Sequence, residues 1–541
     1  MMTVAAAANA LNAPWQGQDA LFTRVCTDTR TLAPGDLFVA LRGEHFDAHE
    51  FIGSAKEKGA VAAVVNAASV APPLFTLSDL PSKHWLSGME PPQATAYPAG
   101  GRELERGQSE AGAIQTKSAP PLPNPLPAGE RGSSPLSRLR ERVGEGERAD
   151  NLPLIFVEDT RLALGQLAAH WRSQFQIPLV AITGSNGKTT VKEMLAQILS
   201  AAAPNGKAGI LATEGNLNND IGVPQMLLRL RAQHGYAVIE MGMSQLGEIA
   251  YLSGLAKPTV AVISNAGAAH LQGLGSVAAV AQAKGEIFEG LSDNGIAVIN
   301  ADDEYAPLWR KLAGQRRSVM FGLNNPAPVD VNASYEVDRK EPLASRVQMR
   351  LSADPAAQTE IRFKLQVPGE HNVRNALAAA AAAVALGISA ETIAAGLSGF
   401  TGVRGRLQKK PAPHGALIID DSYNANPQSM RAALAVLAAI PGKKIFVMGD
   451  MGELGDDAAA LHRQIGAVAR DAKVDRLFAL GELSALAVSE FGVGAAHFAS
   501  VEALVASIHP LLAPNTTLLV KGSRFMQMER VVEKLLEAKC C

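Results

Sequence analysis

The sequence predicts an α/β protein of three domains. Short apolar runs that suit buried strands alternate with segments that carry apolar residues at helical spacing, and this alternation is typical of parallel sheets covered by helices. With 541 residues, the chain is also too long for one ordinary hydrophobic core. New strand and helix series begin past Ile177 and after an Ala-rich run at 376–387. We therefore place the domains at 1–178, 179–402 and 403–541.

The first domain has α/β patterns on both sides of a long insertion. GDLFVAL and AVAAVV predict strands before it, and TRLALGQLAAHWRSQF predicts a helix after it. Between them, residues 81–151 are rich in Pro and Gly and poor in Leu, Ile and Val. Such a segment cannot bury enough apolar surface to offset its ordering entropy, so we predict a disordered insertion. Its Arg-rich part could be a nucleic-acid or partner arm, but interleaved Glu residues cancel most of its charge and favour a solvated linker.

The second and third domains continue the same alternation. In the second, the strand candidates are YAVIEMG, TVAVISNAG and GIAVINADD, and the Ala-rich run ALAAAAAAVALG predicts a buried helix. In the third, the strand candidates are ALIIDD, KKIFVMGD, DRLFALG and TLLVKGS. Both series favour parallel sheets whose connections are helices.

Composition excludes several classes of protein. The chain is 47% hydrophobic and 19% charged, as expected of a globular protein, and its net charge of -2 gives no general attraction to nucleic acid or anionic lipid. It contains no apolar stretch long enough to span a bilayer, and no basic region precedes the N-terminal alanines. Three cysteines at 26, 540 and 541 form no disulfide framework and no zinc spacing. A cytoplasmic enzyme is the expectation.

The segment AITGSNGKTT at 181–190 predicts a phosphate-binding loop. An apolar strand precedes it and a helical pattern follows, so its backbone N–H groups would point at one spot at a helix N-terminus, where an anion is favoured. Lys188 adds a full charge, and the hydroxyl of Thr189 or Thr190 can bind the Mg²⁺ of a nucleoside triphosphate. Only two residues separate Gly184 from Gly187, so the spacing is a variant. The alternative is a tight turn with a solvated lysine.

Further candidate residues follow the strands of the second domain. Ligands of α/β sheets gather at the carboxyl ends of strands, and Glu240 ends one strand while His270 follows the next. Both could approach a magnesium ion beside the loop, or they could be a capping residue and an ordinary loop histidine. Lys284 lies on a probable helix, and its sequence pattern alone favours a surface lysine.

Two polar clusters also stand out. GEHNVRN at 369–375 precedes the Ala-rich run, and its Asn and His side chains could contact the edge of a base. DDSYNANPQSM follows the strand ALII, with Asn426 suited to cap a helix that begins at Pro427. A capped turn needs about two of these polar residues, so the excess indicates a ligand surface.

Taken together, these segments resemble one family. TGSNGKTT, EGNLNNDIGVP, VIEMG, NAGAAHL, NADDE, GEHNVRNALAA, GRLQ, DDSYNANPQSM, GDMGELG and VKGSRFMQME occur in this order and resemble the ATP-dependent Mur ligases of peptidoglycan synthesis, across the chain outside the insertion. The N-terminal CTDTRTLAPGDLFVALRGEHFDAHEFI looks like their uridine-nucleotide domain. The resemblance implies this N-terminal domain, a central P-loop ATPase domain with a parallel-rich sheet, and a C-terminal Rossmann-like domain. DSYNANP is similar to the member that handles D-alanyl-D-alanine.

The resemblance implies a reaction and its participants. A peptide carboxylate of UDP-N-acetylmuramoyl-tripeptide would attack the γ-phosphate of ATP, and the amino group of D-alanyl-D-alanine would attack the resulting acyl phosphate, with ATP and Mg²⁺ as cofactors. We expect a monomer that binds neither nucleic acid nor membrane. Because the family's first domain normally lacks so long a Pro/Gly-rich stretch, an insertion that disrupts the first sheet would put uridine-nucleotide binding in doubt.

The resemblance also implies roles for individual residues. The catalytic residues would be Lys188, His270 and Lys284. ATP would be bound by Gly184, Ser185, Asn186, Gly187, Lys188, Thr189, Thr190, His371, Asn372, Asn375, Arg406 and Asp421. The peptide substrates would contact Asp28, Thr29, Arg30, Asn218, Asn219, Tyr423, Asn424 and Asn426. Metal ligands would be Thr189, Glu240, His270 and Lys284, the last as a carbamate.

Three alternatives remain at this point. A sister ligase that adds a diamino acid, or glutamate to folate, would share the ATP site and differ in the third domain. A nucleotide-operated binding protein would bind ATP without acceptor-dependent phosphate release. A scaffold role for the insertion would leave catalysis unchanged when 82–150 is deleted.

Overall fold

The structure is a computed structural model in which the described residues form three large sheets with helices packed on them, and one small sheet of Met2–Thr3 and Leu21–Phe22. It describes residues 1–43, 46–70, 152–268, 271–324, 328–338, 341, 343–354 and 357–537. The predicted insertion at 81–151, the terminal cysteines and His270 lie outside the described residues.

The first sheet contains both segments that flank the insertion. The strands of this unit are β1 (Met2–Thr3), β2 (Trp15–Gln16), β3 (Leu21–Phe22), β4 (Arg24–Cys26), β5 (Asp36–Val39), β6 (Ala62–Asn66) and β7 (Leu154–Val157), and its helices are α1 (Val4–Ala10), α2 (Ile52–Glu57), α3 (Ala67–Val70) and α4 (Thr160–Ser173). The strand order is β2-β7-β6-β5-β4, with β4 to β7 parallel. Since β6 pairs directly with β7, the sheet is continuous across the insertion.

The central unit is built on a sheet with the order β16-β15-β14-β13-β12-β11-β8-β10-β9 among the described residues. Its strands are β8 (Leu179–Thr183), β9 (Ile210–Ala212), β10 (Tyr236–Glu240), β11 (Val260–Ile263), β12 (Ile296–Asn300), β13 (Arg317–Gly322), β14 (Val331–Val337), β15 (Ser345–Asp354) and β16 (Ala357–Leu365). Its helices are α5 (Lys188–Ala202), α6 (Gly222–Leu227), α7 (Glu248–Ala256), α8 (Leu271–Leu274), α9 (Val277–Gly285), α10 (Ala306–Ala313), α11 (Glu370–Ala385) and α12 (Ala390–Ser398). Because β10 and β11 flank β8 in parallel, the carboxyl ends of all three meet at one edge.

The C-terminal unit has a sheet in the order β17-β18-β22-β19-β20-β21, parallel except for β17. Its strands are β17 (Gln408–Pro411), β18 (Leu417–Asp421), β19 (Lys443–Gly449), β20 (Arg476–Leu480), β21 (Ala495–Phe498) and β22 (Thr516–Lys521). Its helices are α13 (Pro427–Ala439), α14 (Ala458–Asp471), α15 (Ala485–Phe491), α16 (Val501–Ile508) and α17 (Glu529–Glu537). As predicted, Asn426 caps α13, where its side chain accepts a hydrogen bond from the N–H of Ser429 at 2.8 Å.

The α/β prediction is confirmed, with two differences. The sequence did not indicate β15 and β16, which extend the central sheet as antiparallel strands. Buried strands are recognised by continuous apolar runs, and polar residues on the exposed face of β15 and β16 interrupt such runs. The cluster GEHNVRN was expected before the Ala-rich helix, which is wrong, because α11 begins at Glu370 and carries these residues on its first two turns. No helix in the described part of the chain is both long and apolar enough to cross a membrane.

Candidate functional site

The segment predicted to bind phosphate joins β8 to α5 as a tight loop. Gly187 has φ +86°, and a Cβ there would stand 2.2 Å from Oδ1 of Asn375 on α11. Both the left-handed backbone and the close approach therefore require glycine. Lys188 begins α5, and its Nζ donates to the backbone oxygen of Gly184 at 2.7 Å. Burial lowers the pKa of Lys188, and Arg406 adds to this, while Glu240 opposes it.

Asn186, at the tip of the loop, connects the central unit to the C-terminal unit. Its Nδ2 donates to Oε1 of Gln428 at 2.9 Å, and its Oδ1 accepts from Nδ2 of Asn426 at 2.8 Å. Its backbone N–H donates to Oδ1 of Asn265 at 2.9 Å. The position of the loop is thus fixed from two sides, by the segment after β11 and by the start of α13.

Glu240 and Thr189 form a hydrogen-bonded group at the carboxyl ends of β10 and β8. Thr189 Oγ1 donates to Glu240 Oε2 at 2.8 Å, and Asn218 Nδ2 donates to Glu240 Oε1 at 2.8 Å. From the C-terminal unit, Arg406 Nη2 donates to Thr189 Oγ1 at 2.8 Å. Both carboxylate oxygens of Glu240 therefore accept hydrogen bonds from side chains that line the cleft.

This group suits a magnesium ion that accompanies a nucleotide. A threonine hydroxyl has one donor and two lone pairs, so Thr189 keeps one lone pair after its bonds to Glu240 and Arg406. Mg²⁺ prefers oxygen ligands and is commonly held by one or two carboxylates plus substrate phosphates. Thr189 and Glu240 therefore fit the ion without the loss of an existing bond.

Arg406 has a second donor, its Nε, in the buried part of the site. Its guanidinium carbon lies 4.4 Å from the centroid of the Tyr423 ring, which fixes the plane of the group. Its Nε is buried and has no hydrogen-bond partner among the described residues. Since an unpaired buried donor is costly, a ligand oxygen such as that of a phosphate is the partner that this atom lacks.

Lys284 is buried, which contradicts the surface lysine that its sequence pattern favoured. It is 2% exposed, because α9 packs on α10, where Trp309 Nε1 donates to the backbone oxygen of Ala281 at 2.9 Å. Burial holds the pKa of Lys284 well below its usual value, and the charge of Lys188 lowers it further. An amine in this environment loses its proton readily and is then a nucleophile.

The first turns of α11 carry the residues predicted to bind a base. Asn372 and Asn375 are buried, Asn372 Nδ2 donates to the backbone oxygen of Pro368 at 2.7 Å, and Asn375 Nδ2 donates to Oδ1 of Asn372 at 3.2 Å. Desolvation lowers the pKa of His371 to about 4, although Asp421 opposes the shift. His371 is therefore neutral at physiological pH and can both donate and accept a hydrogen bond.

On the opposite wall, Asp421 is held by a buried lysine. Lys521 Nζ donates to Asp421 Oδ2 at 2.6 Å and to the backbone oxygen of Asn424 at 2.9 Å, and the N–H of Leu407 donates to Asp421 Oδ1 at 3.1 Å. The carboxylate and the turn that carries Tyr423 are thereby kept in one arrangement.

One cleft of 2070 Å³ between the central and C-terminal units collects most of the predicted residues. Those that line it are Ser185, Asn186, Gly187, Lys188, Thr189, Thr190, Asn218, Asn219, Glu240, His371, Asn372, Asn375, Arg406, Asp421, Tyr423, Asn424 and Asn426. Asp28, Thr29 and Arg30 lie elsewhere, in the loop after β4, where Arg30 pairs with Asp28 at 2.7 Å. Lys284 lies behind the cleft wall.

Among the lining residues that the sequence analysis did not assign to the site are the charged side chains of Glu453, Lys521 and Arg524. Lys521 is the last residue of β22 and Arg524 lies just beyond it, so the rule that ligands gather at strand ends could have found both. Glu453 lies four residues beyond the end of β19, in the segment GDMGELG, so the same rule applies to its loop but does not single out this residue.

Three family models match the chain: Mur ligase family, catalytic domain at 22–79; Mur ligase middle domain at 182–383; and Mur ligase, glutamate ligase domain at 405–524. The UDP-N-acetylmuramoyl-tripeptide–D-alanyl-D-alanine ligase of Escherichia coli (strain K12) is 38% identical over 542 residues, covering 100% of this chain and 99% of the relative. A crystal structure of MurF from Acinetobacter baumannii has a TM-score of 0.75 at 33% identity and covers 99% of this chain and 98% of that one. The structure of MurF ligase from Thermotoga maritima in complex with ADP has a TM-score of 0.70, and the match covers 96% of this chain and 98% of that one. Its sequence identity is 24%, so this match shows a shared fold.

Proposed function

We propose a function for the central cleft on the premise that this chain belongs to the Mur ligase family. The chain is an ATP-dependent ligase that forms an amide bond between UDP-N-acetylmuramoyl-tripeptide and D-alanyl-D-alanine, using ATP and Mg²⁺. The product is the UDP-N-acetylmuramoyl-pentapeptide, a peptidoglycan precursor. The observation that supports the site most strongly is the hydrogen-bonded group of Thr189, Glu240 and Arg406, which joins the two walls of the cleft.

In the first step, the peptide carboxylate attacks the γ-phosphate of ATP. Two anions must approach each other, so the main task of the protein is to stabilise negative charge. Lys188 and the Arg406 guanidinium, with its unpaired Nε, supply positive charge from opposite walls. Thr189 and Glu240 would hold Mg²⁺, and His270 with a carbamylated Lys284 would hold a second ion; these ions would supply further positive charge to neutralise the phosphates.

The buried environment of Lys284 supports its conversion to a carbamate. A buried lysine whose pKa is lowered presents a neutral amine, and this amine can add to carbon dioxide with the loss of one proton. The product carries a negative charge and two oxygens, which suit a magnesium ion. The same change places an anion beside Lys188, which favours the charged form of that lysine.

Nucleotide recognition uses both walls. Asn372, Asn375 and neutral His371 offer amide and imidazole groups to the adenine edge. Arg406 and Asp421 reach the nucleotide from the C-terminal unit, and Tyr423, Asn424 and Asn426 face the dipeptide. Asn218 and Asn219 lie on the side of the muramoyl peptide.

Uridine diphosphate would be held by the first unit, away from the cleft. Asp28, Thr29 and Arg30 form an exposed turn after β4, and Lys58 Nζ donates to the backbone oxygen of Thr29 at 2.7 Å. We propose domain boundaries near 178 and 403, with one substrate assigned to each unit. A cytoplasmic location follows from the proposed reaction, because its nucleotide substrates are cytoplasmic.

The test is phosphate release from ATP with the tripeptide nucleotide and D-alanyl-D-alanine, each omitted in turn. Release that requires both, with a product heavier by the dipeptide, supports the ligase. Release with a diamino acid or glutamate in place of the dipeptide would identify a sister ligase, and ATP binding without release would identify a nucleotide-operated binding protein.

A further inference from the structure

The loop after β19 holds Glu453 in a backbone conformation that glutamate rarely adopts. Its φ is +61°, in the left-handed region. Side chains other than those of Gly, Asn and Asp are strained there. Such strain persists only where the surroundings impose it, and it concentrates at functional sites.

Neighbouring residues impose this conformation through the loop's own backbone. The N–H of Met451 donates to Nε2 of the buried His462 at 2.9 Å, and the N–H of Gly452 donates to Ser523 Oγ at 2.9 Å. The side chain of Leu454 is 5% exposed. Because the residues on both sides of it are fixed, Glu453 cannot relax to an ordinary conformation without the loss of these contacts.

The strained residue projects into the ligand cleft. Glu453 is exposed and lines the cleft between the central and C-terminal units. The phosphate loop lines the same cleft from the opposite wall, so Glu453 and the loop border one ligand space. The wall that carries Glu453 also presents Arg406, Arg524 and the ion pair of Lys521 with Asp421 to the cleft, so Arg406 and Arg524 leave this part of the wall positively charged.

We propose that Glu453 binds the amino group of the acceptor dipeptide and accepts a proton from it during amide formation, an inference that rests on the proposed function above. The dipeptide arrives as an ammonium ion, and the cations on this wall repel it. The Glu453 carboxylate, fixed among these cations, offers a binding site for the ammonium group. This site borders the cleft in which the acyl phosphate forms.

The proton balance gives the carboxylate a second task. The ammonium loses one proton to solvent, and the neutral amine then attacks the acyl carbon. As the C–N bond forms, the nitrogen becomes positive again and passes its next proton to the Glu453 carboxylate. The bond between the acyl carbon and the bridging oxygen breaks, inorganic phosphate leaves with that oxygen, and the Glu453 carboxyl group returns its proton to solvent.

The experiment compares Glu453→Gln with Asp456→Asn, which removes one negative charge from an exposed position on the same loop. With ATP and tripeptide saturating, kcat/KM for D-alanyl-D-alanine should fall about 100-fold or more in Glu453→Gln and stay within about twofold of wild type in Asp456→Asn. Tripeptide-dependent acyl phosphate, trapped with hydroxylamine, should form at the wild-type rate in both variants.

Each other result overturns the proposal. A raised KM for ATP and slow formation of trapped acyl phosphate, with an unchanged KM for the dipeptide, would mean that Glu453 acts only on Lys188. An unchanged kcat/KM for the dipeptide would remove Glu453 from the reaction. If wild type itself shows no dipeptide-dependent phosphate release, the proposed function fails first, so the two failures are distinguishable.

A second variant separates function from folding. Glu453→Gly relieves the left-handed strain, so its melting temperature should be no lower than that of wild type, while kcat/KM for the dipeptide falls as in Glu453→Gln. A clear drop in melting temperature with retained activity would show that the residue has a structural role instead.

Discussion

His371 should make the stability of the protein depend on pH in a defined window. Desolvation lowers the pKa of His371 from 6.5 to about 4. Because the unfolded state binds the proton more tightly, stability falls as pH drops from about 6.5 to about 4. The linkage relation puts the loss at about 2 kcal/mol at pH 5.0 and near zero at pH 7.5. Because His371 is only partly buried, this loss of stability is an upper value.

The assay is urea unfolding of wild type and His371→Gln at pH 7.5 and pH 5.0. Between these pH values, wild type should lose up to about 2 kcal/mol more than the variant. His497→Gln, at an exposed histidine of the C-terminal unit, is the control and should follow wild type. Equal losses in wild type and His371→Gln would refute the argument, because they would mean that the imidazole is protonated equally easily in the folded and unfolded states.

Other predictions concern the phosphate loop and the buried lysine. Lys188→Ala should lower kcat by about 1000-fold or more while circular dichroism stays unchanged, and substantial residual turnover would remove the loop assignment. Lys284→Ala should be inactive and partly rescued by added short carboxylates, whereas wild-type activity in the variant would exclude the carbamate. Gly187→Ala places a Cβ 2.2 Å from Asn375 Oδ1 at φ +86°, so ATP binding measured by calorimetry should be lost and the melting temperature should fall; normal binding would show that the loop can move.

The sequence was sufficient to locate the parts of the site that follow general topological rules. Glu240 could be placed next to the phosphate loop because its strand ends where ligands of parallel sheets gather, and the pairing of β10 with β8 confirms that neighbourhood. Asn426 could be assigned as a cap from local preferences alone, and the capping box around α13 confirms it.

Residues whose properties depend on tertiary packing could not be predicted. Lys284 has the neighbours of a surface lysine along the chain, and only the packing of α9 against α10 buries it. Likewise, the backbone of Glu453 is set by His462 and Ser523, which are 9 and 70 residues away in sequence. Local patterns carry no information about such distant constraints.

The contacts of the phosphate loop indicate why the ligand site is divided between two units. Asn186 bonds to Asn426 and Gln428, and Thr189 bonds to Arg406, so the C-terminal unit completes the surroundings of the loop. A reactive acyl phosphate needs protection from water, and bringing it against the amine can contribute about 7 to 11 kcal/mol to lowering a bimolecular barrier. Because the same contacts join the two walls and position Arg406, phosphate activation and exclusion of water both depend on the contact between the central and C-terminal units.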